Sequence, residues 1–419
     1  MKRSVLSRTS LSIAVAAALT TLSSQALASG FALVEESASG LGTSFAGAAA
    51  SAEDASTIYY NPAGLSLLPS GPQISTGLAY INPSAKFSDS GSTAAGPRPL
   101  GGNGGEAGSG AAVPNFYFAT DLVPNWKFGI GVSVPFGLKT EYDSTWIGRF
   151  QAIKSEIKST NINPTVAYKI SDTASVGFGL DYQKLQAEFT NAVNLVAAEG
   201  FATLKADDTG VGYNLGGMFQ LSPSTRLGVS YRSPIKYKLE GTASFSPGVP
   251  VPSGNITVDL KVPDTLSFAV SQQLDPKWTL LGDITRTGWS SVKDLTVMEG
   301  STTLQKTPEN FKDTWRVGVG SVYKYSDAWA IKMGVAYDQT PVNDTDRTPR
   351  LPDSNRLWLS VGGQYRLSPA STLDFGYAHL FMKDASIDQA NPTPPGLGRL
   401  TGTYKNSVDI LGVQLAYRF

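Results

Sequence analysis

The sequence predicts an all-β fold, a 14-stranded antiparallel transmembrane β-barrel with an N-terminal hatch inside its lumen. Three observations carry that expectation. The first is period-2 alternation running to a terminal aromatic: Val413, Leu415, Tyr417 and Phe419 are apolar, whereas Gln414, Ala416 and Arg418 between them are small or polar. The same pattern recurs in Trp329, Ile331, Met333, Val335 and Tyr337, and in Leu373, Phe375, Tyr377 and Phe381. The second is an export signal at the start of a chain with no later run of the roughly 18 apolar residues that a spanning helix requires. The third is a regular succession of short turns and long loops.

Taken in order, residues 1–28 have the form of a secretory signal. Lys2, Arg3 and Arg8 form its basic region, Leu11 to Leu22 its apolar core, and Ala26-Leu27-Ala28 its cleavage site. Residues 29–71 lack strand periodicity and are rich in small residues, with Tyr59-Tyr60-Asn61-Pro62-Ala63-Gly64 near their end. A barrel this wide encloses a lumen that its own side chains cannot fill, so the segment is expected to be a plug. Residues 72–419 form the barrel itself. Strands are expected at 72–82, 114–122, 126–142, 155–170, 173–190, 209–221, 224–246, 255–274, 277–297, 311–325, 328–338, 355–367, 371–384 and 405–419. Short turns such as Pro124-Asn125, Ser171-Asp172, Asp275-Pro276 and Ser368-Pro369 alternate with long polar or Gly/Pro-rich loops, notably 83–113 and 385–404.

Composition excludes several function classes. The chain of 419 residues has no cysteine and one histidine, His379, which leaves no thiolate or His cluster for a transition metal. Lys plus Arg equal Asp plus Glu at 34 each, so no basic stripe points to nucleic acid. No Ser/His/acid constellation accompanies His379, so an enzyme is not expected, nor any catalytic residue or cofactor. The glycine run Gly101-Gly102-Asn103-Gly104-Gly105 lacks a following helix and a Lys-Ser/Thr pair, and is expected to be a surface loop rather than a phosphate cradle.

Several motifs in a fixed order resemble the FadL-type outer-membrane transporters of long-chain fatty acids and other hydrophobic compounds. They are Gly30-Phe31-Ala32-Leu33, Ser39-Gly40-Leu41-Gly42, Asn61-Pro62-Ala63, the run Phe136 to Tyr142, Phe311-Lys312-Asp313 to Arg316, and Pro352-Asp353 through Arg356 to Ser360. The resemblance covers essentially the whole chain after the signal. It implies a monomer in the Gram-negative outer membrane, surrounded by lipid and lipopolysaccharide, with Asn61, Pro62 and Ala63 in a gating hatch. It also implies a kink in the third strand through which ligand leaves sideways, at Pro135, Phe136 and Gly137. Proline removes a ladder donor and glycine weakens a strand interior, so these residues suit a break.

The resemblance also nominates ligand contacts. Lys306 matches a family lysine at the ligand head group, while the family's partner arginine has no counterpart, Glu188 and Phe189 standing in its neighbourhood with Lys184 nearby. Phe31 either touches ligand or anchors the hatch terminus. Trp146, Ile147 and Phe150, with Leu195, Val196 and Phe201, either capture ligand on the outer loops or stiffen those loops. The expected function is facilitated diffusion of long-chain fatty acids or similar hydrophobic molecules. Uptake of alkanes or monoaromatic hydrocarbons by the same route is the alternative, with a general porin and a surface adhesin behind it.

Overall fold

The computed structural model describes residues 30–195, 198–390 and 396–419. The expected signal segment lies outside the described residues, as do Val196, Pro392, Pro394 and Pro395 of two expected loops. The wall begins with β1 (Gln73–Asp89), β2 (Ala111–Val123), β3 (Trp126–Ser133), β4 (Gly137–Glu141), β5 (Lys154–Lys169), β6 (Ala174–Asn194) and β7 (Glu199–Ser222). It continues with β8 (Thr225–Arg232), β9 (Ile235–Phe245), β10 (Gly254–Val262), β11 (Thr265–Gln273), β12 (Trp278–Thr287), β13 (Asp294–Glu299) and β14 (Thr302–Pro308). It ends with β15 (Thr314–Lys324), β16 (Trp329–Asp338), β17 (Arg356–Ser368), β18 (Ser371–Met382), β19 (Ala385–Gln389) and β20 (Leu400–Arg418).

Six of these segments continue the stave below or above them across a break, so the wall is a closed barrel of 14 antiparallel strands. Closure is made by β1 and β20, paired from Gln73↔Arg418 to Asp89↔Gly402. That removes the open edge which no lipid-exposed sheet tolerates. Several strands outrun their expected ends. β1 continues to Asp89, β20 starts at Leu400, and β6 and β7 stay paired up to Asn194↔Glu199, where a loop was expected. The physical reason is that the upper staves face water instead of lipid. Their outward residues are therefore polar, and the apolar–polar contrast that marks a strand in sequence disappears although the ladder does not.

The outward face records the bilayer. Along β16, Trp329, Ile331, Met333, Val335 and Tyr337 are all exposed while the residues between them turn inward. At the short-turn end, Trp126 leans on Tyr168, Trp278 on Tyr323 and Trp329 on Tyr365, with ring centroids 4.8, 4.6 and 4.6 Å apart and the same 35° tilt. Such amphipathic rings sit at a membrane interface, so these pairs form the inner aromatic girdle.

The lumen is filled by residues 30–72. They form single helical turns at Ala38–Leu41, Ala48–Ser51 and Thr57–Tyr60 and a 3-10 helix at Pro62–Leu67. Leu41, Ile58 and Leu65 are fully buried. Segments this short leave backbone carbonyls unpaired, and the wall supplies donors for them. Lys332 Nζ donates to Ser39 O at 2.9 Å and pairs with Asp374 at 3.0 Å and Glu53 at 2.6 Å. Arg226 donates to Ser51 O at 3.0 Å, Lys127 to Leu68 O at 2.7 Å, and Arg316 to Ser44 O. Inward-facing wall cations thus bolt the plug into the barrel.

Candidate functional site

Above the plug lies an apolar luminal cavity lined almost wholly by aliphatic and aromatic side chains. Alternate residues of β5, β6, β7, β9, β10 and β13 contribute Ile157, Phe189, Leu204, Leu239, Val258 and Val297 to its walls. Its floor is aromatic. Phe31, from the hatch terminus, meets Trp289 at 4.8 Å and Phe136 at 5.8 Å, and Trp289 meets Phe311 at 5.9 Å. Beneath these rings lies a second cavity of mixed lining, in which Arg232, Asp283, Arg316 and Asp338 stand among apolar hatch residues such as Leu33 and Phe45. The four rings are a septum between an apolar chamber and one that also carries charged side chains.

Two ionisable side chains line the apolar cavity, Arg350 from the loop before β17 and Glu309 from the loop after β14. Arg350 bonds only neutral oxygens: Ser155 Oγ at 3.1 Å, Lys154 O at 3.4 Å and Asn191 Oδ1 at 3.5 Å. Its guanidinium lies over the Phe189 ring at 5.0 Å. Among the described residues no carboxylate comes within ion-pair distance of it, although Glu309 shares the cavity. Burial draws Arg350 down to about 10, against the pull of Glu309. Burial pushes the Glu309 carboxyl up from 4.5 to about 8, with Arg350 opposing. Glu309 is half-buried and lines the cavity. At neutral pH the site therefore holds a cation beside a largely protonated acid. Arg350 also borders a wider outer cavity, to which Phe150, Leu304 and Gln305 contribute.

The third stave is broken where Pro135, Phe136 and Gly137 were singled out. β2 pairs with β3 only up to Phe116↔Val132, and β4 pairs with β5 from Gly137↔Lys158 onwards. The wall donors and acceptors released there go to the hatch. Leu33 N donates to Pro135 O at 2.8 Å, Gly137 N to Phe31 O at 2.9 Å, and Val134 N to the Glu36 carboxylate at 3.1 and 3.2 Å. The hatch terminus thus takes the place of β2 beside the break. Glu35 and Glu36 are both buried, and neither has an ion-pair partner among the described residues. Desolvation raises them to about 7 and about 8. Gly30 N donates to Asp353 Oδ2 at 3.0 Å, and Asp353 in turn holds Arg356 at 2.6 Å, so the Pro352-to-Arg356 motif pins the start of the hatch.

Asn61 is fully buried and joins hatch to wall. Its Oδ1 accepts from Ala63 N at 3.1 Å, and its Nδ2 donates to Ala49 O at 2.7 Å and Gly217 O at 3.1 Å. Pro62 opens the 3-10 helix that Asn61 caps. Wall glycines make room for this seat: a Cβ on Gly216 would lie 2.0 Å from Asn61 Oδ1, and one on Gly228 1.9 Å from Ala49 O.

Other nominated residues lie elsewhere. Trp146 is fully buried, stacks on Tyr142 at 4.0 Å and donates from Nε1 to Ala152 O at 2.7 Å, so it stiffens its loop and is closed to ligand in this structure. Ile147 is buried in the same cluster, while Phe150 reaches the outer cavity. Phe201 is on β7 and exposed to the outside, since it stands opposite Ala192 in an extended hairpin. Lys306 points to solvent and pairs with Asp294 at 3.3 Å, outside the apolar and the outer cavity alike, although its neighbours Gln305 and Thr307 line the outer one. Arg350 escaped sequence reasoning because nothing in its loop sequence distinguishes an arginine folded inward from one facing water.

Residues 19–419 match the family model for outer membrane protein transport proteins (OMPP1/FadL/TodX). The chain belongs to this family. It is 28% identical to the long-chain fatty acid transport protein of Salmonella typhi, over 90% of this chain and 93% of that one. Its fold follows that of a Pseudomonas aeruginosa FadL homologue, with TM-score 0.88, 24% identity, and 93% and 100% of the two chains covered. The Pseudomonas putida toluene transporter TodX superposes with TM-score 0.70 at 20% identity, covering 94% and 100%. The protein is a β-barrel of the Gram-negative outer membrane and a FadL-family transporter of hydrophobic molecules.

Proposed function

We propose that this protein carries long-chain fatty acids across the outer membrane by facilitated diffusion, as a monomer. The observation that carries this reading is Arg350, a buried guanidinium with no carboxylate in ion-pair reach among the described residues, at the edge of a chamber otherwise apolar but for Glu309. Each buried methylene stabilises a ligand by about 0.8 kcal/mol, so the chamber holds an acyl tail. A carboxylate head group is the natural partner for the cation. Ligand enters through the outer cavity past Phe150, seats its tail above Phe31, and leaves sideways at the break between Ser133 and Gly137 once residues 31–36 withdraw. Phe31 couples the two events, because its ring floors the chamber while its carbonyl holds Gly137 N. Asn61, Pro62 and Ala63 keep the rest of the hatch seated during that movement.

A second reading, uptake of monoaromatic hydrocarbons or alkanes, is favoured by the aliphatic and aromatic lining of the chamber and by the fold shared with a toluene transporter. Uptake of labelled oleate and labelled toluene by a host lacking its own fatty-acid transporter separates the two. Oleate uptake restored by this chain supports the first reading. Toluene uptake alone moves the substrate to hydrocarbons, and uptake of neither overturns both.

A further inference from the structure

The outer wall carries a row of three lysines across β1, β20 and the end of β18. Lys86 on β1 stands directly opposite Lys405 on β20. On the other side of β20, Phe381 opposes Ser407, which brings Lys383, two residues further on, level with Lys405. All three are exposed. Lys86 has one ion-pair partner, Glu106 at 3.8 Å, and neither Lys383 nor Lys405 has any among the described residues. Asp384 is next in sequence to Lys383, and Asp409, two positions below Ser407 on β20, is already engaged by His379 at 2.8 Å and Tyr377 at 2.6 Å.

Like charges directly opposed on neighbouring strands are destabilising. Such a row persists at no cost only where an anion sits on it. Its height says which one. Lys405 lies twelve residues up β20 from Tyr417, which at about 3.3 Å per residue and a strand tilt of about 40° is about 30 Å. The apolar band of such a barrel is only about 25 Å tall, so the ammonium groups stand just above the outer edge of the hydrocarbon. Below them on the same outward face are Phe381, Tyr377, Leu411 and Tyr80, all exposed. An amphiphile whose acyl chains cover these four residues presents its head group to the three lysines.

We propose that Lys383, Lys405 and Lys86 dock the phosphate groups of a lipopolysaccharide molecule seated against β18, β20 and β1. The site is on the opposite side of the wall from the lumen and does not depend on which hydrophobic molecule the lumen carries.

The test uses the full chain purified in detergent and stripped of lipid, titrated with deep-rough lipopolysaccharide and followed by native mass spectrometry. Wild type is compared with K383E/K405E, with the milder K383Q/K405Q, and with K324E at the opposite end of the barrel as a control. The double charge reversal is expected to weaken binding at least tenfold and the glutamine pair severalfold, with K324E unchanged. Dephosphorylated lipopolysaccharide is expected to bind wild type at least tenfold more weakly. Heat-modifiable gel mobility shows that each variant is folded, and K383Q/K405Q stands in if the reversal does not fold. Binding within twofold of wild type in the folded variant overturns the proposal. So does equal binding of dephosphorylated lipopolysaccharide, or equally tight binding of phosphatidylglycerol vesicles.

Discussion

Replacing Arg350 with methionine isolates the head-group interaction from the tail. The guanidinium makes only long bonds to neutral oxygens, at 3.1, 3.4 and 3.5 Å, so removing it sacrifices little of the protein's own bonding. Removing a buried cation that lacks an ionic partner is neutral or stabilising when an apolar side chain of similar length fills the space. A hydrogen bond to a charged group is worth about 1.5–3 kcal/mol net, and each 1.4 kcal/mol is tenfold in affinity. R350M should therefore weaken oleate binding by about 10- to 150-fold at neutral pH. Oleyl alcohol, which has the same tail and no charge, should bind within about twofold of wild type, because methionine keeps the wall apolar. Equilibrium binding of the two radiolabelled ligands to purified protein measures both constants, and thermal unfolding checks the fold. An oleate loss below threefold, or a parallel loss for the alcohol, refutes the assignment of Arg350 to the head group.

The remaining expectations concern pH, the hatch and the loops. Glu309 is raised from 4.5 to about 8, so it is protonated at neutral pH and leaves Arg350 free. Oleate affinity should fall as the pH rises through about 8, where Glu309 ionises and competes for the cation, and E309Q should abolish that fall in the same binding assay. Glu36 is likewise raised to about 8, which means that the seated hatch holds this proton more tightly than a withdrawn one. Its stabilisation is complete below about pH 4.5 and is lost as the pH rises through about 8, so the Leu33, Val134 and Gly137 amides should open more readily over that window; E36Q should flatten the change in hydrogen exchange once intrinsic rates are divided out. G216V places side-chain carbon where Asn61 seats and should unseat the 3-10 helix, raising ion conductance in planar bilayers, whereas wild-type conductance would mean the seat is dispensable. W146A removes a fully buried indole from the loop after β4 and should cost about 3–5 kcal/mol, read as a lower unfolding temperature with luminal oleate binding retained.

The lipid-facing half of each stave was legible because the bilayer imposes a strict alternation on it, as Trp329 to Tyr337 and Val413 to Phe419 illustrate. The break at Pro135–Gly137 was expected from the family resemblance, within a strand otherwise read as continuous from 126 to 142, and proline and glycine suit it because they act on the backbone whatever surrounds them. The upper staves were not. Asn191 to Asn194 and Glu199 to Asp208 face water on one side, and nothing in their composition separates a paired strand from a loop. The site was legible only in its hatch half. Phe31 and Asn61 belong to local motifs with their own turn chemistry, and the structure seats Phe31 on the chamber and Asn61 against the wall. Arg350 and Glu309 meet in the lumen only through loops more than 40 residues apart in sequence, and their unusual character is a product of burial that sequence does not display. Lys306 and Trp146 show the converse. A family position and an apolar loop both nominate ligand contacts, yet the first faces solvent and the second is consumed by its own loop.

The aromatic floor formed by Phe31, Phe136, Trp289 and Phe311 gives the channel an unusual rule of admission. An open pore sorts solutes by diameter. Here a film of ring faces a single side chain thick floors the chamber, and the price of displacing it is set by how readily a molecule abandons water. On the proposed route, sugars and salts small enough to fit are turned back by their hydration, while a far longer oily chain pushes Phe31 aside and leaves through the wall. A barrel closed in this way would add no leak to the envelope, because towards water-soluble compounds it would behave as a piece of intact membrane.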